Sequence, residues 1–431
     1  MIQKRKMISF QLIAAGQLIS ILGSAMSNFA IGIWIWKTTG KATPFSIISV
    51  AFVFPGLLFT PIAGVLVDRW PRKWSLIFPA VISSIIMGFL LYLFWTNQVR
   101  LEYIYAGAFV MGIANSFEFP AFTSLITVML SKEEYVKGNG YMALIESAPG
   151  ILAPILAGIL VTFLGIPGIL LVDIVTFIIV IVVIMKTHIP SVTLEISKQS
   201  YHFIQIAKEA WEGFLFIGSR KPLLYLLLMW FFLNFFGGFS RTLFTPYILA
   251  KTNNNTVFLG IVNSAFGIGG ILAAVLLMIW KGPKKKINGL LGGVLISFSA
   301  TFFFAFCQNI VQFVSMALIG SFSMTFAFTF SQAIWQTKTP IQLQGRVFSA
   351  RKIIAQIAEP ISMGISGPLV DYVLFPLIKN NPVLPFWLGT GKANALALSI
   401  LFGGTLCLFT VIFAISNKKI QQIESVIPDQ V

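Results

Sequence analysis

Gly64-Val65-Leu66-Val67-Asp68-Arg69-Trp70-Pro71-Arg72-Lys73-Trp74 lies between two long apolar runs and carries four ionised side chains within six residues. Asp68, Arg69, Arg72 and Lys73 do not lie in hydrocarbon, so this turn belongs at a membrane surface, with the runs on either side crossing the bilayer. The pattern is Gly, three residues, Asp-Arg, two residues, Arg-Lys.

Composition agrees with that placement. The chain has 431 residues, 57% of them hydrophobic and 10% charged, whereas a soluble globular protein carries about a quarter charged residues. A polytopic membrane protein is expected throughout. The net charge of +16 does not point to nucleic acid, because the basic residues are scattered between apolar runs rather than gathered on one domain. Cys307 and Cys407 fall in apolar runs and His188 and His202 in one loop, so neither a metal site nor a disulfide framework is expected, and no cofactor. The apolar run after Lys4-Arg5-Lys6 is too long for a cleaved secretory signal and reads as the first span.

Polar turns divide the chain into twelve segments of spanning length: 9–36, 44–67, 75–95, 102–130, 139–164, 168–186, 222–249, 257–280, 288–307, 311–336, 346–374 and 393–416. With the N-terminus inside, twenty-three lysines and arginines fall on the inner side. Six fall outside (Lys37, Lys41, Arg100, Lys251, Lys379 and Lys392), and Arg241 lies within a span. The positive-inside rule then places both termini in the cytoplasm. The fold class expected is all-α, with residues 1–186 as an N-terminal six-helix bundle, 187–221 as a cytoplasmic linker and 222–431 as a C-terminal six-helix bundle. In the linker, Phe203, Ile206, Ala207, Ala210, Trp211, Phe214 and Ile217 recur at helical spacing. This amphipathic helix is either a strap joining the bundles along the inner leaflet or an extension of the seventh span.

The two halves echo each other. Gly112 and its downstream loop are repeated about 208 residues later at Gly320, and the first charged turn has a counterpart in Trp280-Lys281-Gly282-Pro283-Lys284-Lys285-Lys286 that has lost the aspartate. Parallel halves related by an axis along the membrane normal are one transporter architecture.

The turn at Gly64 resembles the signature loop between helices 2 and 3 of the major facilitator superfamily, with Pro71 where that signature usually has glycine. Gln17, Ser20 and Gly23, then Thr38-Thr39-Gly40, Pro120-Ala121, Asp173 to Phe177, and Gly345-Arg346-Val347-Phe348-Ser349 together resemble the macrolide-efflux type of proton-coupled drug exporter in that family. The resemblance implies a monomer whose partners are a small molecule, protons and membrane lipid, working by alternating access around a central cavity. It also implies a conformational latch, in which Asp68 meets the start of the eleventh span near Gly345 and Arg346 and Gly64 lets helices approach closely. Arg69 and Arg72 either pair with Asp68 or anchor the loop to headgroups, and Lys73 is expected to anchor. Glu146-Ser147-Ala148-Pro149-Gly150 with Pro154 and Gly158 resembles the Gly/Pro-rich stretch of exporters that exchange substrate for protons.

Ionisable groups within spans are expensive and mark function. Glu118, Glu146 and Glu359 are the candidates for proton coupling or the substrate cavity, against a plain buried hydrogen bond between helices. Coupling to a gradient needs a carboxyl that exchanges its proton near neutral pH, and removal from water brings that about. Asp173 and Asp371 are placed near the outer interface, as solvated ends. Arg241 is expected either to pair with one of the acids across the cavity or to snorkel outward. The 42 phenylalanines suit an aromatic cavity for bulky amphipathic molecules, although most must face lipid or other helices. An enzyme is not expected, since no nucleophile-base pair can be assembled. The expected activity is secondary export of hydrophobic or amphipathic molecules, macrolide-like drugs first, with a lysophospholipid or siderophore as the alternative cargo.

Overall fold

The computed structural model describes residues 2–131, 134–189, 212–280, 282–340, 343–380 and 391–429, and the ordered elements among them are all helical. They are α1 (Ile2–Thr39), α2 (Ala42–Arg69), α3 (Arg72–Trp95), α4 (Leu101–Asn115), α5 (Glu118–Met129), α6 (Tyr135–Lys186), α7 (212–219), α8 (Lys221–Lys251), α9 (Thr256–Ile279) and α10 (Lys286–Phe304). There follow α11 (Ile310–Lys338), α12 (Gln344–Pro368), a π-helical turn (Leu369–Leu374), α13 (Phe375–Asn380), α14 (Lys392–Ser416), α15 (Lys418–Gln421) and α16 (Ile423–Val426).

Eleven stretches of the described residues are long and apolar enough to cross a membrane. One of them, Ser147–Lys186, has 40 residues, which at about 1.5 Å per residue is twice the hydrocarbon thickness. It is two passes joined at Gly165, whose φ of 63° and ψ of −174° break the helix. Only glycine adopts that conformation without strain, and Pro167 two residues on has no N–H with which to continue the ladder. The fifth and sixth expected spans meet there. The fourth is interrupted: α4 ends and α5 begins across a turn at Ser116-Phe117. Pro120 has no N–H for the carbonyl of Ser116 and its ring crowds that carbonyl, so the helix restarts with Glu118 in its first turn.

The chain divides into two compact units, 1–195 with 254–264, and 196–253 with 265–431. In unit 1, Phe10, Met87, Leu90 and Leu125 are at the centre of the core. Trp70, at the end of α2, stacks on Phe117 at 6.0 Å and meets Phe78 edge-on at 5.3 Å, which seats the charged turn on aromatic rings. In unit 2, Trp335, Ile334, Val294 and Leu226 are fully enclosed. The exterior inverts the pattern of a soluble protein, with Phe163 and Ile279 each 80% exposed, as lipid rather than water requires.

Glycines set the closest helix contacts. A Cβ at Gly293 would lie 2.7 Å from the carbonyl oxygen of Ser323, and one at Gly403 would lie 2.6 Å from that of Phe236. At Gly112 the obstacle is the carbonyl oxygen of Phe52, far inside contact distance. Gly112→Ala is therefore expected to push α2 from α4 and lower stability by about 1–3 kcal/mol, read as a lower thermal midpoint in detergent. Gly64→Ala is the control, because a Cβ there would meet no described atom within 4 Å.

Lys73 is corrected: its Nζ donates to the carbonyl of Met185 at 2.6 Å, so it closes the C-terminal end of α6 rather than standing free for lipid. Most of the expected linker helix lies outside the described residues. Its last part, α7, is separated from α8 by the non-helical Arg220, so it does not continue the seventh span.

The tail folds back on unit 2. Lys338, 3% exposed, donates to the carbonyls of Glu424 (2.8 Å) and Ile427 and pairs with Asp429 at 2.9 Å. The Glu424 carboxylate accepts from the backbone N–H groups of Lys286 and Ile287, at 3.1 Å each, and so caps α10.

Candidate functional site

Unit 2 encloses a cavity of about 820 Å³. The α8 residues that line it include Trp230, Asn234, Gly237, Arg241 and Phe244, and the α12 residues include Phe348, Arg351, Ala355 and Glu359. Steps of three and four residues place each set on one face of its helix. Gly238 lets the two helices touch, since a Cβ there would lie 2.5 Å from Ser362 Oγ. At that crossing Arg241 Nη1 donates to Glu359 Oε1 at 2.8 Å, with the two side chains 51% and 21% exposed. The ion pair thus opens onto the cavity rather than lying in a sealed core. Asn234 Nδ2 donates to the carbonyl of Ala355 at 3.0 Å, two turns before Arg241 on α8 and one turn before Glu359 on α12.

The charge count places Arg351 on the inner side, and the structure sets it within the bundle. It lies two turns inside α12 and lines the cavity. Its Nη1 donates to Gln332 Oε1 at 2.8 Å and its Nη2 to Ser331 Oγ at 3.4 Å, with the guanidinium 5.2 Å from the Trp335 ring centroid. Ser331 also accepts from Trp230 Nε1 at 2.9 Å. The eight-residue spacing between Arg351 and Glu359, and the seven between Asn234 and Arg241, were the available signals that these residues share a face. Of the phenylalanines, Phe244, Phe266, Phe298, Phe304, Phe328 and Phe348 reach the cavity.

In unit 1, Glu118 is half-buried in the first turn of α5 and accepts from Asn115 Nδ2 at 3.1 Å. Within electrostatic reach of it is Asp173, which is fully buried and not the solvated helix end expected. Here α1 lies against the second pass of α6: a Cβ at Gly23 would come within 2.5 Å of Thr176 Oγ1 and 3.0 Å of Asp173 Oδ1. Asp371 is corrected likewise, being 5% exposed at its side chain and paired with Lys392 at 3.3 Å. The Gly/Pro-rich stretch packs against the start of α9. A Cβ at Gly260 would lie 2.6 Å from the carbonyl oxygen of Pro154, and Ser264 Oγ donates to the carbonyl of Ile151 at 2.7 Å.

Arg346, at the start of α12, pairs with Glu212 of α7. Arg72 Nη1 donates to the carbonyl of Val67 at 2.6 Å, across the charged turn. The side chains of Asp68, Arg69 and Glu146 lie outside the described residues.

A helical chain of about a dozen membrane passes, with a wide amphipathic cavity and ionisable groups at membrane depth, is built as a solute carrier. The chain belongs to the Major Facilitator Superfamily, whose family model matches residues 13–363. It is therefore a multi-pass secondary transporter and not an enzyme. It is 25% identical over 368 residues to macrolide efflux protein A of Streptococcus pyogenes, covering 85% of this chain and 90% of the relative. To the macrolide efflux protein A of Enterococcus faecalis it is 24% identical, covering 75% and 100%. Among solved structures it resembles the nucleoside transporter NupG, with a TM-score of 0.73 at 11% identity over 95% of this chain and 100% of the other. It also resembles a bacterial homologue of the human lysosomal transporter Spinster, with a TM-score of 0.71 at 13% identity over 97% of each chain. At such identities the two structures establish the fold alone.

Proposed function

We propose that this transporter exports hydrophobic or amphipathic small molecules, macrolide-like drugs among them, across the bacterial cytoplasmic membrane in exchange for protons, by alternating access and with both termini in the cytoplasm. The observation that carries this is the cavity of unit 2, where an Arg241–Glu359 pair stands open among aromatic rings and amides. Aromatic walls accept a bulky apolar body, and a charge pair accessible from the cavity is a group that a proton or a polar substrate can dissociate. The two macrolide efflux relatives support the choice of cargo. The excess of lysine and arginine on one side of the spans supports the orientation.

One observation favours a second cargo. Arg241, Arg351 and Lys352 line the cavity against one acid, Glu359, and a net positive lining attracts an anionic headgroup such as that of a lysophospholipid, or an anionic iron chelate. The test is accumulation by inverted vesicles of erythromycin, a lysophospholipid and a ferric siderophore, with and without a proton-dissipating agent. Gradient-dependent accumulation of erythromycin is expected. If only the anionic probes accumulate, the second cargo replaces the first; if no probe responds to the gradient, proton exchange is rejected.

A further inference from the structure

Asp173 has 0% of its surface exposed, and its Oδ2 makes no hydrogen bond. Its Oδ1 accepts one bond, from Ser24 Oγ of α1 at 3.2 Å. The Ser27 hydroxyl faces the same carboxyl but is likewise buried without a partner. Thr176 Oγ1 donates to Asp173's own backbone carbonyl at 2.7 Å. Among the described residues no lysine, arginine or histidine pairs with it, and the charged group facing it is Glu118 on α5, another acid. A carboxylate held in this way, with only hydroxyls around it, an acid beside it and no cation, is costly in a low-dielectric interior. The neutral acid carries no such cost. Its O–H also places a donor beside the unpartnered Ser27 Oγ.

A metal ion is a poorer occupant. Cations of this kind need several oxygens at more than 2 Å in every direction. Here α1 approaches so closely at Gly23 that even a methyl group would crowd Thr176 and Asp173. A proton needs no space.

We propose that Asp173 is a proton-binding site of unit 1, filled as the neutral acid in the packed state and emptied when water reaches it. On emptying, the O–H bond breaks, the electron pair stays on Oδ2 and the proton passes to water. The carboxylate left behind accepts hydrogen bonds from Ser24 and Ser27. Ser24 and Ser27 are positioning residues, one turn apart on α1.

The site itself is tested without any substrate. The chain has four aspartates, at 68, 173, 371 and 429. Infrared spectra of purified wild-type protein carrying isotope-labelled aspartate, at neutral pH, should show a protonated aspartic acid C=O band. That band should be absent from Asp173→Asn and shifted in frequency in Ser27→Ala. No aspartic acid band in the wild type, the same band in Asp173→Asn, or loss of the band on adding sodium at constant pH would each overturn the site.

The transport arm rests on the exporter assignment and uses erythromycin in proteoliposomes. Asp173→Asn should lose at least about tenfold of gradient-driven accumulation, within the usual range of coupling between sites, while exchange at equal concentrations stays near wild type. Gradient-driven accumulation unchanged in Asp173→Asn would overturn its part in coupling. An aspartic acid band in a wild type that moves no erythromycin would instead reject the cargo and leave the proton site standing. If Asp173→Asn does not fold, the labelled wild type and Ser27→Ala still decide the site.

Discussion

Glu359→Gln is expected to lower gradient-driven export of erythromycin at least about tenfold while leaving the folded population unchanged. Glutamine keeps the shape of the side chain and removes its charge, so Arg241 is left facing the cavity without its counter-ion. Arg241 and Glu359 are partly exposed, at 51% and 21%, which puts the pair between a surface bridge worth at most about 1 kcal/mol and a buried one. A coupling of about 1–3 kcal/mol between the pair and the transport cycle corresponds to roughly 5–150-fold. Arg241→Gln should fall in the same range, and Arg241→Gln with Glu359→Gln should be no worse than either single change, because partners in one interaction are not additive. Arg241→Lys should recover part of the activity, since lysine keeps the charge but not the planar donor geometry. The measurement is initial rate in inverted vesicles, with thermal midpoint in detergent as the folding control. Independent, additive losses would mean that the 2.8 Å contact has no part in transport, and full activity in Glu359→Gln would remove that residue from coupling.

The largest effect on stability is expected at Lys338. Lys338→Met preserves the apolar stem and deletes the ammonium that binds the carbonyls of Glu424 and Ile427. Each carbonyl left without a partner in that enclosed site costs about 1–3 kcal/mol, so a loss of about 2–6 kcal/mol is expected for the two. The loss should appear as a lower thermal midpoint together with faster proteolysis after residue 416. Glu424→Gln is the graded comparison. It removes the negative charge at the start of α10 but retains an oxygen for the cap, and should cost about 1 kcal/mol. Equal midpoints for wild type and Lys338→Met would show that the tail is held by Ile420 and Ile423, both buried, and not by the lysine.

The spans were legible because bilayer thickness sets a length that sequence must match, and because charges cannot be left in hydrocarbon. The fold follows from twelve such runs and the signature turn. Depth within the bundle was harder to read. Asp173 lies six residues into its expected span, close enough to the end to pass for a solvated group, and it is buried because α1 crosses at Gly23, a contact that distance along one helix does not reveal. Arg351 follows Arg346 so closely that a count of charges by side does not separate the two, yet a helix beginning at Gln344 carries Arg351 two turns inward. The choice for Arg241 between pairing and snorkelling turned on Gly238, which brings α8 within reach of Glu359. Lys73 and Lys338 were hidden for a related reason. Each satisfies backbone carbonyls of a distant helix or tail, and such an acceptor has no signature in sequence.

The single-residue join at Gly165 also bears on how the chain is made. Its neighbours Leu164 and Ile166 are apolar, and between Ser147 and Lys186 the one charged side chain is Asp173. No polar loop has to be carried across the bilayer, so these two passes are suited to leave the translocation machinery together as a helical hairpin. The later pass then arrives already paired with its predecessor, and its one aspartate is buried when α1 docks.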